Sequence, residues 1–312
     1  ASLGKCAKLK ELILWGNQLN GPIPDELGQC GELEELELED NQLTGGVPAG
    51  FGKCTKLKRL VLYKNQLEGP IPDELGQCGE LEALELNENK LTGGVPAGLG
   101  KCAKLKELIL WGNQLIGPIP DELGQCSELE ALELNENKLT GCVPMSLGMC
   151  AKLQRLLLYT NQLSGSIPNE LGQCGELEEL ELNENKLTGG VPASLGKCTK
   201  LQTLKLHANQ LNGPIPDELG QCGELEALEL NLNQLTGGVP ASLGKCTKLT
   251  ELRMSNNQLE GAVPFAELAA LADLTFLGFE GNEGLTITAH GAQELKKALP
   301  DAELVLPKEV AG

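Results

Sequence analysis

Carboxylates are the most abundant reactive groups in this chain of 312 residues: 44 Asp and Glu stand against 25 Lys and Arg, for a net charge of −19. Acids on neighbouring segments, such as Glu37 and Glu85, could reach the separations used in glycoside hydrolysis. A comb of acids does so anywhere, and nothing in the sequence encloses this pair. The stretch GGVPAGFGKC hints at a phosphate-binding loop, but five residues separate Gly46 from Gly52 and Cys54 replaces the required Ser or Thr. There is no C-x-x-C and there are only two histidines, His207 and His290, so a metal site is not expected. No Ser-His-acid set is suggested. The chain reads as non-enzymatic, without cofactor. A polyanion of this size repels nucleic acid and anionic lipid. No apolar run reaches the roughly 18 residues of a membrane span.

The elements that would carry any site follow from a period. Asparagines stand at Asn17, Asn41, Asn65, Asn89, Asn113, Asn137, Asn161, Asn185, Asn209, Asn233 and Asn257, each 24 residues after the last. Around each runs the frame L-x-x-L-x-L-x-x-N-x-L, as in Leu9, Leu12, Leu14, Asn17 and Leu19. A fixed period in the twenties with this frame is the leucine-rich repeat signature. One unit has too little apolar surface to fold alone, so coils stack around a continuous leucine core. The expected fold is an α/β solenoid with a parallel β-sheet on its concave face. Short 3-10, polyproline and second-strand segments form the convex side. The Asn amide should satisfy backbone groups of adjacent loops at the corner where each strand ends. Proline in G-P-I-P and G-G-V-P suits the return leg better than a helix. Residues 1–266 read as eleven repeats, and 267–312 as a divergent twelfth repeat and cap, with a helix at 289–299 and a last strand at 303–306. The first coil should expose an apolar strand edge, which could form an artificial dimer. The chain is otherwise expected to be a monomer, excised from something longer.

The unit L-x-G-x-I/V-P-x-x-L-G-x-C-x-x-L-x-x-L-x-L-x-x-N resembles the plant-type leucine-rich repeat, over roughly residues 3–266. The resemblance implies ligand recognition on the concave sheet, in a family of receptor ectodomains, pathogen-recognition proteins and hydrolase inhibitors. Such arrays are also similar to the repeat regions of Roco-type GTPases. The cysteine-paired N-terminal cap of extracellular members is not found here.

Eleven of the twelve cysteines share one register, from Cys6 to Cys246 in steps of 24, and are expected to be buried, reduced fillers of an ample core. Cys142 lies off-register and should be accessible. With no N-x-Ser/Thr sequon, the setting reads as cytoplasmic. Odd and even coils differ, so the true repeat is 48: two residues after each Cys, Lys8, Glu32, Lys56, Glu80 and their successors alternate. Each Lys is expected to meet a Glu above and below.

Alternation places the residues between leucines on the concave face. There Trp15, Tyr63, Trp111, Tyr159 and His207 share one register, which holds every Trp and Tyr of the chain. Two residues before them stand Ile13, Val61, Ile109 and Leu157. Even coils instead carry Glu37, Glu85, Glu133, Glu181 and Glu229, followed by Glu39, Asn87, Asn135, Asn183 and Asn231. Arg59, Lys205 and Arg253 mark positions that vary between copies. Rows of aromatics outside a core suggest a protein-binding hot spot. Acidic stripes suggest a basic protein or peptide ligand. The expected function is a recognition module of an immune-type or signalling receptor. The alternatives are a structural or consensus-built scaffold, in which the aromatics only add β propensity, and a hydrolase inhibitor or glycan binder.

Overall fold

A frame that buries every second residue of a strand needs short strands stacked in register, and the computed structural model shows this over the residues it describes, 6–310. The chain falls into two compact units that meet between Gln162 and Leu163. In the first, seven three-residue strands lie parallel: Glu11–Ile13, Glu35–Glu37, Arg59–Val61, Ala83–Glu85, Glu107–Ile109, Ala131–Glu133 and Arg155–Leu157. Their central residues, Leu12, Leu36, Leu60, Leu84, Leu108, Leu132 and Leu156, pair directly with one another. From Leu36 onward these leucines are fully buried.

Each strand stops after three residues because the asparagine corner takes over. Asn65 Nδ2 donates to the carbonyls of Leu38, Leu62 and Tyr63, and its Oδ1 accepts from the Leu43 N–H. The residue before the Asn is left-handed in coil after coil, glycine at Gly16 and Gly112 but Asp40, Lys64, Glu88, Glu136 and Thr160 elsewhere. Non-glycine residues tolerate that conformation because hydrogen bonds over-determine the corner: Lys64 N donates to Asn87 O and Asn65 N to Glu88 O.

The convex leg carries 3-10 turns such as Asp25–Gln29, Asp73–Gln77 and Ala97–Lys101, each entered through an extended proline. Short second strands pair two by two, Asn20–Pro22 with Gln42–Thr44, Glu68–Pro70 with Lys90–Thr92, and Ile116–Pro118 with Lys138–Thr140. This is the 48-residue repeat made visible. Buried cysteines line the inner side, and thiols such as Cys78 Sγ donate to a carbonyl of the coil before, here to Phe51 O at 3.3 Å. Burial pushes Cys102 up to about 12 and Cys78 to about 11. Among the described residues no cysteine forms a disulfide. Cys142 is exposed as expected, but so is Cys6, because the first coil has no described neighbour packed over it. The same edge exposes Ile13, Leu14, Trp15 and Leu19.

Lysine–glutamate pairs run along the flank, and in the column two residues past each Cys they bond to the preceding coil. Lys56 reaches Glu32 at 2.6 Å, Lys104 reaches Glu80 and Lys152 reaches Glu128, each in the preceding coil. The second expected partner, the glutamate of the following coil, takes no ion pair from these lysines among the described residues.

The second unit repeats this plan with strands Glu179–Glu181, Thr203–Lys205, Ala227–Glu229, Glu251–Arg253, Phe276–Gly278 and Glu303–Val305. Its second sheet is continuous, with seven strands from Ser164–Ser166 to Lys308–Val310. Near its end the coil lengthens: a short helix, Phe265–Leu268, replaces the 3-10 turn, and Asn282 still donates to Met254 O and Phe279 O. The helix Ala289–Ala298 follows, capped by the Thr288 hydroxyl, which accepts from Gly291 N.

Candidate functional site

The open face of each sheet is built from the residues that flank the buried leucines. In the first unit one row reads Ile13, Glu37, Val61, Glu85, Ile109, Glu133, Leu157, partnered strand to strand. The next row reads Trp15, Glu39, Tyr63, Asn87, Trp111, Asn135, Tyr159. It is tied by main-chain bonds, from Gly16 N to Glu39 O, Lys64 N to Asn87 O and Glu88 N to Trp111 O. The expected residues Trp15, Glu37, Glu39, Tyr63, Glu85, Trp111, Glu133 and Tyr159 therefore share one face. In the second unit Glu181, His207 and Glu229 do the same.

The side chains lie flatter than the strand alternation suggests. Trp15 is 57% exposed, but Tyr63, Trp111 and Tyr159 are half-buried, and Val61, expected in an open apolar stripe, is 2% exposed. The reason is a layer of ion pairs. Arg59 lies 3.4 Å from both Glu37 and Glu85, and Arg155 bonds Glu133 at 2.8 Å. In the second unit Lys205 meets Glu181 at 2.9 Å, and Arg253 packs 3.9 Å over the Phe276 ring. These cations were legible in the sequence only as variable positions. Opposite charges one strand step apart are the signal that finds them. Lys58, Arg59, Lys106 and Glu107 also line a shallow cleft of about 290 Å³.

Burial decides the electrostatics. It pushes the Glu85 carboxyl up, against the pull of Arg59, and it raises Glu39 and the Tyr63 hydroxyl, which neighbouring acids raise further. Burial acts to lower the Lys205 ammonium, but the hydrogen bond to Glu181 and the surrounding acids raise it overall. His207 Nδ1 stands 3.3 Å from Glu229 without the alignment of a hydrogen bond.

One row carries a regular anomaly. Glu39 Oε2, Asn87 Oδ1 and Asn135 Oδ1 in the first unit, and Asn183 Oδ1 and Asn231 Oδ1 in the second, are buried without a hydrogen-bond partner. Buried polar atoms without partners are rare enough that each calls for an explanation. Here they recur every 48 residues, next to the aromatic positions. The arrangement offers rings and carboxylates in parallel rows, which suits recognition of an extended ligand.

Family models described as leucine-rich repeats match residues 8–30, 31–91, 104–126, 152–174, 176–198, 200–222 and 245–262. No curated protein matches the sequence. Among solved structures, the chain is similar to the plant peptide hormone receptor RGFR1 in complex with RGF2. Identity is 37% over 99% of this chain and 49% of that one, with a TM-score of 0.94. It is also similar to PEPR1 with AtPEP1, at 32% identity over 100% and 47% of the two chains and a TM-score of 0.82. A third is the ectodomain of the membrane receptor kinase GASSHO1/SCHENGEN3 from Arabidopsis thaliana with CASPARIAN STRIP INTEGRITY FACTOR 2. There identity is 35%, over 98% and 42% of the chains, with a TM-score of 0.65. The chain spans about half the length of these structures or less. Among the described residues no helix is long and apolar enough to cross a membrane.

Proposed function

The chain belongs to the leucine-rich repeat family, of the plant type, and from that premise we propose that its open sheet face is a non-enzymatic recognition surface for a peptide or protein. The observation that carries this reading is that half-buried rings at Tyr63, Trp111 and Tyr159 and carboxylates at Glu37, Glu85 and Glu133 recur at one interval on the same open face. The complexes named for RGFR1 and PEPR1 support the same reading. In the first unit Trp15, Tyr63, Trp111 and Tyr159 serve as anchors beside Glu37, Glu39, Glu85 and Glu133, and in the second Glu181, His207 and Glu229 form a face of their own. A basic ligand follows from the dominance of carboxylates on this face.

The cytoplasmic setting expected from the thiols finds no support among the neighbours, one of which is named as an ectodomain. Its physical basis also weakens. Thiols sealed in the core and held at about 11 to 12 are inert to oxidation wherever the protein resides. An extracellular setting accommodates the molecule.

The test is selection from an unbiased peptide library against the protein and against a Tyr63→Ala/Trp111→Ala/Tyr159→Ala variant whose circular dichroism is unchanged. Peptides retained only by the unaltered protein are expected. No enrichment, or equal enrichment on both, refutes recognition by this face.

A further inference from the structure

Glu37, Glu85 and Glu133 are separated by two strand steps each, through Val61 and Ile109. With strands about 4.8 Å apart, like residues recur every ~9.6 Å along the direction in which coils stack. Tyr63, Trp111 and Tyr159 recur at the same interval, and so do the unpartnered Oδ1 atoms of Asn87 and Asn135. A ligand lying across the coils meets one ring and one carboxylate per interval.

Few chain conformations share that interval. An extended β-strand presents the same face every ~6.7 Å, which falls out of step within one interval. An α-helix returns after seven residues, at ~10.5 Å, and has no free backbone N–H to give. A polyproline II helix returns after three residues, at ~9.3 Å, with its backbone groups unbonded. Over the two intervals from Glu37 to Glu133 its mismatch totals only ~0.6 Å. We propose that the first unit's face takes a polyproline II segment with a cation at every third residue and prolines between.

Such a triplet fits each row. Proline rings pack on the aromatics, as in other aromatic-lined grooves that bind this conformation. The bonds from Arg59 and Arg155 use the Oε1 atoms of Glu37, Glu85 and Glu133, so each second oxygen remains for a ligand ammonium. Burial disfavours the Glu85 charge, and an arriving cation relieves that penalty.

This inference rests on the recognition reading and is separable from it. The probe is (Lys-Pro-Pro)₄, compared by calorimetry at low salt with a peptide of identical composition whose four lysines are contiguous. The triplet peptide should bind about tenfold tighter or more, since several exposed charge pairs are at stake. That binding should fall by a similar factor in Glu85→Gln/Glu133→Gln, while Glu32→Gln/Glu80→Gln, an equal charge change off this face, leaves it intact. Equal binding of the two peptides overturns the triplet register. Indifference to Glu85→Gln/Glu133→Gln, or absence of triplet binding, overturns the proposal outright. If library-selected peptides still depend on the aromatics in those cases, recognition survives and only the ligand's conformation is wrong.

Discussion

Replacing Asn113 by Ala tests whether the corner asparagines hold the coils together. Asn113 is buried, its Nδ2 donates to Leu86 O and Leu110 O at 3.0 Å, and its Oδ1 accepts from Leu91 N at 2.9 Å. Leu86 O also receives Asn89 Nδ2, and Leu110 O receives Asn137 Nδ2, so neither carbonyl is stranded by the change. The Leu91 N–H is stranded, at about 1–3 kcal/mol, and the two thinned carbonyl contacts add about 0.5 kcal/mol each. The expected loss is therefore about 2–4 kcal/mol. Asn17 makes similar bonds to Leu14 O and Trp15 O, but on an exposed edge where water replaces them, so Asn17→Ala should cost under about 1 kcal/mol. Because a solenoid can open locally, urea unfolding should be joined with hydrogen exchange at Leu91. Asn113→Asp keeps the acceptor but turns a carboxylate toward two carbonyls, so it should recover stability as pH falls and the acid regains a proton. Equal costs for Asn113→Ala and Asn17→Ala, with the Leu91 amide still protected, would refute the reasoning.

Four further outcomes are expected. Gly76→Ala places a Cβ 2.1 Å from Gly98 O of the next coil, and should cost about 1–3 kcal/mol in thermal unfolding. Gly79→Ala, with nothing within 4 Å, should fall within about 0.5 kcal/mol of neutral. Leu232 is left-handed and exposed, so Leu232→Asn should raise stability by about 0.5–1 kcal/mol, and a lower melting temperature would count against corner strain. A thiol reagent at pH 8 should label Cys6 and Cys142 quickly and the ten buried cysteines only in denaturant; more than two fast sites contradicts the sealed column. Hydrogen bonds from Lys58 and then Lys10 hold the Glu34 carboxyl down to about 2. Its folded value lies below its ordinary one, so its contribution to stability is full above about pH 4.5 and is lost as pH falls toward 2. A Glu34 titration midpoint near 4.5 by NMR would show that these ion pairs do not form.

Much of this molecule was written in its sequence at intervals of 24. Leucine burial and asparagine bonding act on the main chain at a fixed separation, so the frame alone set the stacked strands, the corners and the inward thiols. The terminal helix and strand were legible from their own periodicity. The odd–even difference announced the 48-residue repeat, and alternation assigned Tyr63, Glu85 and Trp111 to one face. What only the tertiary structure decided is how side chains settle across a strand step. Arg59 bridges the acids on either side of Val61, the lysines two residues past each Cys bond to the coil before, and Asn87 and Asn135 hold oxygens without partners. The left-handed corners at Lys64 and Leu232 were equally hidden, since non-glycine residues gave no local sign of them. Each of these outcomes depends on neighbours 22 to 27 residues away, as in the bonds from Arg59 to Glu37 and from Asn65 to Leu38. Periodicity fixes where a residue stands, whereas the conformer it adopts there is chosen by distance, charge and burial among groups that meet only once the coils have stacked.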